Sequence, residues 1–224
     1  MGSGVYPGRI GQRNRSEWTA AGALASSERG LKRFIDILGG ATGLLLSAPI
    51  LAVAAVLIKL ESSGPVIYRS RRIGLNGIPF TCYKLRSMVP DADEIKDNLL
   101  HLNQRKGATF KIARDPRMTR LGALLRKFSL DELPQFYNVL VGDMSLVGPR
   151  PHPEDDVKRY APEHFERLIL KPGLTGLWQV TARRDPSFER NLELDREYID
   201  NWSLGLDLKI LLMTIPAVVR GDGQ

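Results

Sequence analysis

Two adjacent acidic residues, Asp131 and Glu132, are the strongest candidates for chemistry in this chain of 224 residues. Pro134 follows them, and proline is acceptable in the first turn of a helix, so Asp131 could simply cap a helix while Glu132 complements its dipole. The positive end of a helix also attracts phosphate. A carboxylate there would stay ionised, as a nucleophile or a Mg²⁺ ligand must be. Both interpretations are open on spacing alone.

Cationic side chains in nearby motifs are candidates for binding phosphate. Arg126 lies about one helical turn before Asp131 and could clamp a phosphate group. Arg150 is fixed between two prolines, which suits a two-pronged grip on a phosphate or a carboxylate. Lys84 and Arg86 lie at the predicted end of a strand. A solvated loop or strand end would also explain these residues.

The segment 171–180 predicts a turn followed by a strand-like stretch. Its Trp178 is typical of a core residue or an interfacial anchor. Gln179 is a further candidate for binding the substrate phosphate, although a solvated strand position is the commoner place for such a residue.

Residues 37–58 contain no charged side chain. As a straight helix they would measure about 33 Å, enough to cross a hydrocarbon core of roughly 30 Å. Pro49 removes one helical hydrogen bond, however, and Ser47 can bond a freed backbone group. Cations flank both ends, whereas a spanning helix keeps them mainly on the cytoplasmic side. We therefore predict a re-entrant helix over 31–62 that bends at Ser47 and Pro49; a single span is the alternative.

Charge and cysteine content narrow the class of protein. Residues 1–90 hold 12 Lys and Arg against 4 Asp and Glu, and residues 91–224 hold 20 against 21, so the net charge of +7 arises in the N-terminal part. Such a basic block indicates an anionic surface, either nucleic acid or lipid headgroups. One cysteine excludes a disulfide framework and a multi-cysteine zinc site, and three histidines without HExxH spacing argue against a zinc hydrolase.

The remaining patterns predict an α+β fold that is mainly helical, with a small β-sheet. Two runs, 66–73 and 78–84, flank an Asn-Gly turn and predict a β-hairpin. Helices are predicted for 91–106, for 118–128, from Asp131 to about Val141, within 153–170 and for 206–219. The second and the last of these could lie in a membrane interface. We expect a mobile arm (1–30), the membrane helix (31–62) and a catalytic domain (63–224).

Five motifs in this order resemble the bacterial sugar transferases, the monotopic phosphoglycosyl transferase superfamily. After the hydrophobic helix come RIGLNG (72–77), YKxRSM (83–88), SLDELPQ (129–135), GDMSxVGPRP (142–151) and KPGLTGLWQV (171–180). Two positions depart from the family pattern. Leu85 stands where Phe is usual, and Ala48 separates Ser47 from Pro49.

The resemblance implies an enzyme that moves a sugar-1-phosphate from a nucleotide sugar, here UDP-glucose or UDP-galactose, to polyprenyl phosphate. It gives Asp131 the role of a nucleophile that holds the phosphosugar as an acyl phosphate, and Glu132 that of a Mg²⁺ ligand. The cations would neutralise the phosphates. Such an enzyme would act in exopolysaccharide or O-antigen synthesis, at the bacterial inner membrane with its catalytic domain on the cytoplasmic face. It would have no nucleic-acid partner, and a homo-oligomer is possible.

Two other functions fit parts of the pattern. The basic block would suit a membrane-tethered nucleic-acid-binding module, but the aromatic residues are not interleaved with the cations as such a module requires. A Mg²⁺-dependent phosphohydrolase on a single-pass anchor would use the same acidic pair and release sugar phosphate to water. Many members of the resembled family carry further transmembrane helices upstream, so we expect either a minimal member or a catalytic fragment.

Overall fold

The computed structural model describes residues 26–95, 97–103, 112, 115–183, 185 and 187–221, and over these it is mostly helical with two small sheets. The α-helices are α1 (Ser26–Glu61), α2 (Ala92–Ile95), α3 (Arg120–Lys127), α4 (Gln135–Val141), α5 (Glu154–Val157), α6 (Leu177–Thr181), α7 (Phe188–Asp200) and α8 (Leu204–Val219). The strands are β1 (Ile67–Ile73), β2 (Pro79–Leu85), β3 (Ser145–Val147) and β4 (Gly173–Thr175). Short 3-10 helices span Leu75–Gly77, Asp97–Leu102, Leu130–Glu132 and Pro162–Ile169. The mainly helical α+β class is confirmed.

Helix α1 continues through Pro49 without interruption. The part from Glu28 to Glu61 is long and apolar enough to cross a membrane by length and composition. Ser47 donates from Oγ to the carbonyl of Leu44 at 3.2 Å, so the hydroxyl bonds the backbone beside the proline as expected. Much of the helix surface is apolar and exposed, as at Leu45 (75%) and Leu46 (70%). The helix is therefore not interrupted at Ser47 and Pro49, where the sequence predicted a break.

One stripe of α1 packs against the rest of the protein along the length of the helix. Its buried positions are Asp36, Gly40, Ser47, Ala54 and Ile58. These residues recur every four or seven positions and so share one helix face. A helix that crossed the bilayer would contact its domain near one end only. It would not need buried positions near both of its ends.

Both ends of α1 are bonded to the same body of the protein. Near the start, Lys32 Nζ forms an ion pair with Asp207 Oδ2 of α8 at 2.5 Å. Beyond the last turn, Arg86 donates to the Ser62 carbonyl at 2.8 Å and to the Ser63 carbonyl at 2.5 Å. The chain thus leaves α1 on the domain where α1 began.

The two sheets have different topologies. β1 and β2 pair antiparallel, with Ile67 opposite Leu85, which confirms the predicted hairpin. At its turn Asn76 has a φ of 55°, a left-handed conformation that asparagine tolerates. β3 and β4 pair in parallel over only three residues each. This second sheet contacts α4 and α8.

Two local predictions need correction. The stretch 91–106 was expected to be one helix, but it forms α2 and a separate 3-10 helix, because its Asp and Asn side chains compete with the helical backbone; residues 96 and 104–106 lie outside the described part. After Pro172 only three residues form a strand, and the apolar run that follows is helix α6, a choice that short apolar runs leave ambiguous. The helix predicted within 153–170 is confirmed as the short α5, which is followed by a 3-10 helix.

The N-terminal boundary of the membrane helix also differs from the prediction. Helix α1 begins at Ser26 rather than at residue 31. The rest of the expected mobile arm, residues 1–25, lies outside the described part of the chain. The predicted helices at 118–128 and 206–219 are confirmed as α3 and α8.

Candidate active site

Asp131 and Glu132 lie in a tight 3-10 turn between α3 and α4. Ser129, just before this turn, has a φ of 57°, so the chain reverses direction sharply ahead of the two acids. Helix α4 starts only at Gln135, with Pro134 as its N-cap residue. The prediction that Asp131 caps the following helix was therefore wrong, because the left-handed residue and the 3-10 turn come between α3 and α4.

Glu132 is buried and its charge is balanced by two cations. Lys84 Nζ donates to Oε1 at 2.7 Å, and Arg150 donates to Oε1 at 2.6 Å and to Oε2 at 3.3 Å. Burial opposes ionisation of this carboxyl, but Arg150 and Lys84 outweigh it and hold the pKa of Glu132 well below its usual range. Glu132 is an anion that fixes two cations beside Asp131.

Asp131 is also buried, at 4% exposure, but its carboxylate is held differently. No side chain in the described part of the chain donates a hydrogen bond to it. Burial raises the pKa of Asp131; the charge of Lys84 opposes this rise, and the neighbouring Glu132 adds to it. Arg126 and Arg150 also lower that pKa. The carboxylate of Asp131 thus lies among three cations that favour its ionised form, while burial and Glu132 outweigh them and keep its pKa raised.

Arg126 comes to the site from the last turn of α3. This helix starts at Thr119, whose Oγ1 accepts from the backbone N–H of Gly122 at 2.9 Å. The side chain of Arg126 donates from Nε to Ser87 Oγ at 3.0 Å. Of the predicted phosphate ligands, the structure therefore brings three to the acidic pair: Lys84, Arg126 and Arg150.

Arg86 occupies a different place. It is buried, and its guanidinium donates to the carbonyls of Ser62 and Ser63 and to the Ser62 hydroxyl, the last at 2.9 Å. Carbonyls at a helix C-terminus lack intrahelical donors and need such partners. The prediction that Arg86 binds phosphate is thus corrected: its donors are directed at the end of α1.

Gln179 lies on α6 and is 6% exposed. Its Nε2 donates to the Leu174 carbonyl at 2.9 Å, and its side chain lines a cavity that Glu132 also lines. The expectation of a solvated strand residue was wrong, because this part of the chain is a packed helix. Its role as a phosphate ligand stays a prediction.

Two arginines hold the loop that carries Arg150, of which Arg167 is buried and Arg72 is half-buried. Arg167 donates to the Arg150 carbonyl at 2.8 Å, and Arg72 donates to the Pro151 carbonyl at 2.9 Å. Arg167 also pairs with Asp195 at 2.5 Å. Burial raises the pKa of Asp195 to about 6, against the opposing charge of Arg167. Sequence reasoning missed these supports, and the only available signal was that Arg72 belongs to the RIGLNG motif.

Asn138 aligns the two elements that carry Lys84 and the acidic turn. It is fully buried on α4, where its Oδ1 accepts from the N–H of Tyr83 at 3.1 Å and its Nδ2 donates to the Thr81 carbonyl at 2.7 Å. Both partners belong to β2, so one side chain sets the position of α4 against the strand. Its only mark in the sequence is that it is a polar residue within the mainly apolar run of α4.

The described residues do not fit a Mg²⁺ site built by the protein alone. They contain no cluster of three or more His, Cys, Asp and Glu side chains. Both oxygens of Glu132, the predicted ligand, accept hydrogen bonds from cations. A divalent cation at that carboxylate would meet the charges of Lys84 and Arg150.

A cavity of about 360 Å³ lies beside the acidic turn. Its walls come from the 128–133 turn and from α4, β4, α6 and α8, and they are mainly apolar. The polar groups in the wall belong to a small set, namely Ser129, Glu132, Thr175, Gln179, Arg183 and Thr214. Glu132 of the acidic pair thus borders an apolar chamber.

The sequence pattern of the bacterial sugar transferase family matches residues 27–221, which include every residue of this site. The chain belongs to the bacterial sugar transferase family. Known members of the family resemble the chain over most of its length. The galactosyl transferase CpsE of Streptococcus agalactiae is 47% identical over 193 residues, covering 86% of this chain and 43% of that protein.

Two further relatives differ in length. The exopolysaccharide production protein ExoY of Rhizobium meliloti is 43% identical, and the match covers 86% of this chain and 87% of ExoY. The undecaprenyl-phosphate galactose phosphotransferase of Salmonella typhimurium is 42% identical, with 88% and 42% covered. The chain therefore spans about two fifths of the longer relatives and most of ExoY. The resemblance seen in the motifs is confirmed at the level of the family.

Proposed function

We propose that this protein transfers a sugar-1-phosphate from a nucleotide sugar to polyprenyl phosphate, with Asp131 as the covalent nucleophile. The observation that carries the proposal is the contrast within one buried acidic pair. Glu132 is bonded to Lys84 and Arg150, whereas Asp131 keeps its oxygens free within reach of the same charges. That is the arrangement a nucleophile facing a diphosphate needs, because the cations offset the charge of both reactants.

In the first step a carboxylate oxygen of Asp131 attacks the sugar-proximal phosphorus of the donor. The bond from that phosphorus to the bridging oxygen breaks, and the nucleoside monophosphate leaves with the electron pair. Arg150, Lys84 and Arg126 would neutralise the charge that develops on the phosphoryl and leaving oxygens. The product on the protein is an aspartyl phosphosugar, a mixed acyl phosphate.

In the second step a phosphate oxygen of the polyprenyl phosphate attacks the same phosphorus. The bond to Asp131 breaks, which restores the carboxylate and releases a polyprenyl diphosphosugar. Dividing the reaction in this way avoids bringing two bulky anions together in one displacement. The same cations serve both steps, since each step places negative oxygens around one phosphorus.

The choice of substrates rests on relatives. One is named an undecaprenyl-phosphate galactose phosphotransferase, and another, from Caulobacter vibrioides and 42% identical, a UDP-glucose:undecaprenyl-phosphate glucose-1-phosphate transferase. A UDP-hexose donor and undecaprenyl phosphate as acceptor are accordingly proposed for this chain. The product would enter exopolysaccharide or related glycoconjugate synthesis, as the name of ExoY suggests for that relative.

For the membrane we propose that α1 enters and leaves the bilayer on one face. The support is that Lys32 near its start and Ser62 just past its end both bond to the catalytic domain, which can lie on only one side. We place that domain on the cytoplasmic face of the bacterial inner membrane, where a UDP-sugar would be supplied. Mg²⁺ is proposed to arrive with the donor, whose diphosphate oxygens would be its main ligands. A homo-oligomer also stays a proposal.

The test is a labelling experiment without lipid. The purified protein is incubated with Mg²⁺ and UDP-galactose or UDP-glucose carrying ³²P in the sugar-proximal phosphate. We expect label on the protein, its absence in Asp131→Asn, and its transfer to lipid when undecaprenyl phosphate is added. Turnover to lipid product without labelled protein, or undiminished turnover by Asp131→Asn, would overturn the proposal.

A further inference from the structure

We propose that the apolar cavity beside Glu132 holds the first isoprene units of the lipid acceptor, with Arg183 binding its phosphate. This inference rests on the proposed function and adds a location for the second substrate. The cavity has a volume of about 360 Å³, which suits part of a prenyl chain and not the whole of it. The remainder of the chain would stay in the bilayer.

The cavity opens through the apolar surface of α8. Ile215 and Val219 line it, yet they are 63% and 72% exposed, so their side chains form its rim. On the same helix Leu208 and Leu212 are 59% and 60% exposed. A hydrocarbon chain in a bilayer that covers this surface can therefore enter the cavity without crossing water, which is the costly step for an apolar group.

Polar side chains of the cavity wall adjoin the turn that carries the nucleophile. Arg183 Nη2 donates to Ser129 Oγ at 2.8 Å, and Ser129 precedes Asp131 by two residues. Glu132 lines the same cavity, so the turn that carries Asp131 forms part of its wall. A phosphate bound by Arg183 beside this turn would present its oxygens toward the aspartyl phosphosugar while its chain lay along the apolar wall.

The apolar wall of the cavity favours the lipid acceptor over the nucleotide sugar as its occupant. A nucleoside diphosphate sugar carries hydroxyls and charge over its whole length and would leave these groups without partners against such a wall. The donor diphosphate is instead assigned to Lys84, Arg126 and Arg150, none of which lines the cavity. These cations thus suit the polar donor and the cavity suits the prenyl chain.

The test separates the two half-reactions. Ala217 lines the cavity and is small, so Ala217→Phe fills part of the volume. The matched control, Leu212→Phe, puts the same side chain on the exposed face of the same helix. We expect Ala217→Phe to become labelled by ³²P UDP-hexose at the parental rate, but to discharge its label to undecaprenyl phosphate at least about tenfold more slowly below saturation. Tenfold corresponds to losing roughly two buried methylene groups.

An independent measurement covers the case in which the Phe variant does not fold. A prenyl phosphate with a photoreactive group in its first isoprene units is crosslinked to the parental protein, and the labelled peptides are identified. Crosslinks at 214–219 or 174–180 that undecaprenyl phosphate removes, and that phosphatidylglycerol does not, support the site. Removal by both lipids would mean that the cavity takes any hydrocarbon chain and would overturn the proposal. So would equal discharge by both Phe variants while labelling persists; absence of labelling in the parent would instead refute the proposed function.

Discussion

Arg150 grips Glu132 with both of its terminal nitrogens, Nη2 to Oε1 at 2.6 Å and Nη1 to Oε2 at 3.3 Å. The two residues are 18 positions apart in the chain, so the contact depends on the fold of the loop between them. Because Glu132 holds Arg150 and Lys84 in place, the charges that act on Asp131 are fixed before any substrate binds. Fixed charges need no reorganisation when the reaction takes place.

Replacing Arg150 should slow the first half-reaction. We expect Arg150→Gln to lower the initial rate of protein labelling by roughly a hundredfold, the effect of removing one fixed charge or donor from a developing anion. Arg150→Lys keeps the charge but not the two-pronged contact and should give an intermediate rate. The matched control is Arg71→Gln, whose exposed ion pair with Glu154 lies away from the acidic turn; its rate should stay within about twofold. Equal losses in both would contradict the assignment.

Neutralising Glu132 should move the acid limb of the pH profile. In the parent the charge of Glu132 raises the pKa of Asp131. Without it that pKa falls, so Asp131 stays ionised to lower pH. The Glu132→Gln variant should therefore keep half of its own maximal labelling rate at a lower pH than the parent does, although its maximum also falls because Lys84 and Arg150 lose their partner. Labelling rates across a pH series give both quantities, and a midpoint that moves upward would refute the explanation.

Arg86 should matter for stability and not for chemistry. Arg86→Gln removes buried, charge-assisted hydrogen bonds to the end of α1, each worth about 1.5–3 kcal/mol. We expect a clear fall in the midpoint of thermal unfolding in detergent. At a temperature where the variant is folded, its labelling rate should remain close to that of the parent. Lys84→Met, two positions earlier, should show the reverse pattern, with slow labelling and a smaller change in the midpoint.

Two introduced cysteines can show whether α1 spans the membrane or returns to the face from which it entered. Gly30 and Ser63 are exposed on either side of the apolar stretch, and the native Cys82 is buried and can be replaced by alanine. In sealed vesicles a membrane-impermeant thiol reagent should reach Gly30→Cys and Ser63→Cys from the same side. Leu46→Cys, near the middle of the helix, should be protected. Labelling of the first two from opposite sides would establish a span.

The acidic pair and three of its cations could be predicted because each lies in a compact motif whose residues meet within a few positions. Arg86 could not be separated from Lys84 on that basis, since two residues spaced by one share a face of a strand. β2 ends at Leu85, however, and the chain then turns Arg86 toward α1. Side chains alternate between the two faces only within a strand. Because β2 ends at Leu85, this alternation does not predict the direction of Arg86.

The contacts that hold the site in place could not be predicted from the sequence, for a different reason. Arg72 reaches the Pro151 carbonyl across 79 positions, and Arg167 reaches that of Arg150 across 17. Neither contact leaves a periodic or local pattern, because each depends on how separate loops pack. In sequence Asn138 resembles an ordinary helix residue, and only its hydrogen bonds to β2 distinguish it. Local propensity predicted the hairpin and the long helices, and tertiary packing decided the rest.

The stripe of α1 that packs on the catalytic domain has a practical consequence for handling this protein. Deleting the chain up to Glu61 would leave Asp207 without Lys32 and would expose Leu85 and Leu125, which now pack on Ala54 and Ile58. Such a truncation would therefore yield an aggregating fragment instead of a water-soluble enzyme. Biochemical work should begin from the intact chain in detergent micelles or nanodiscs.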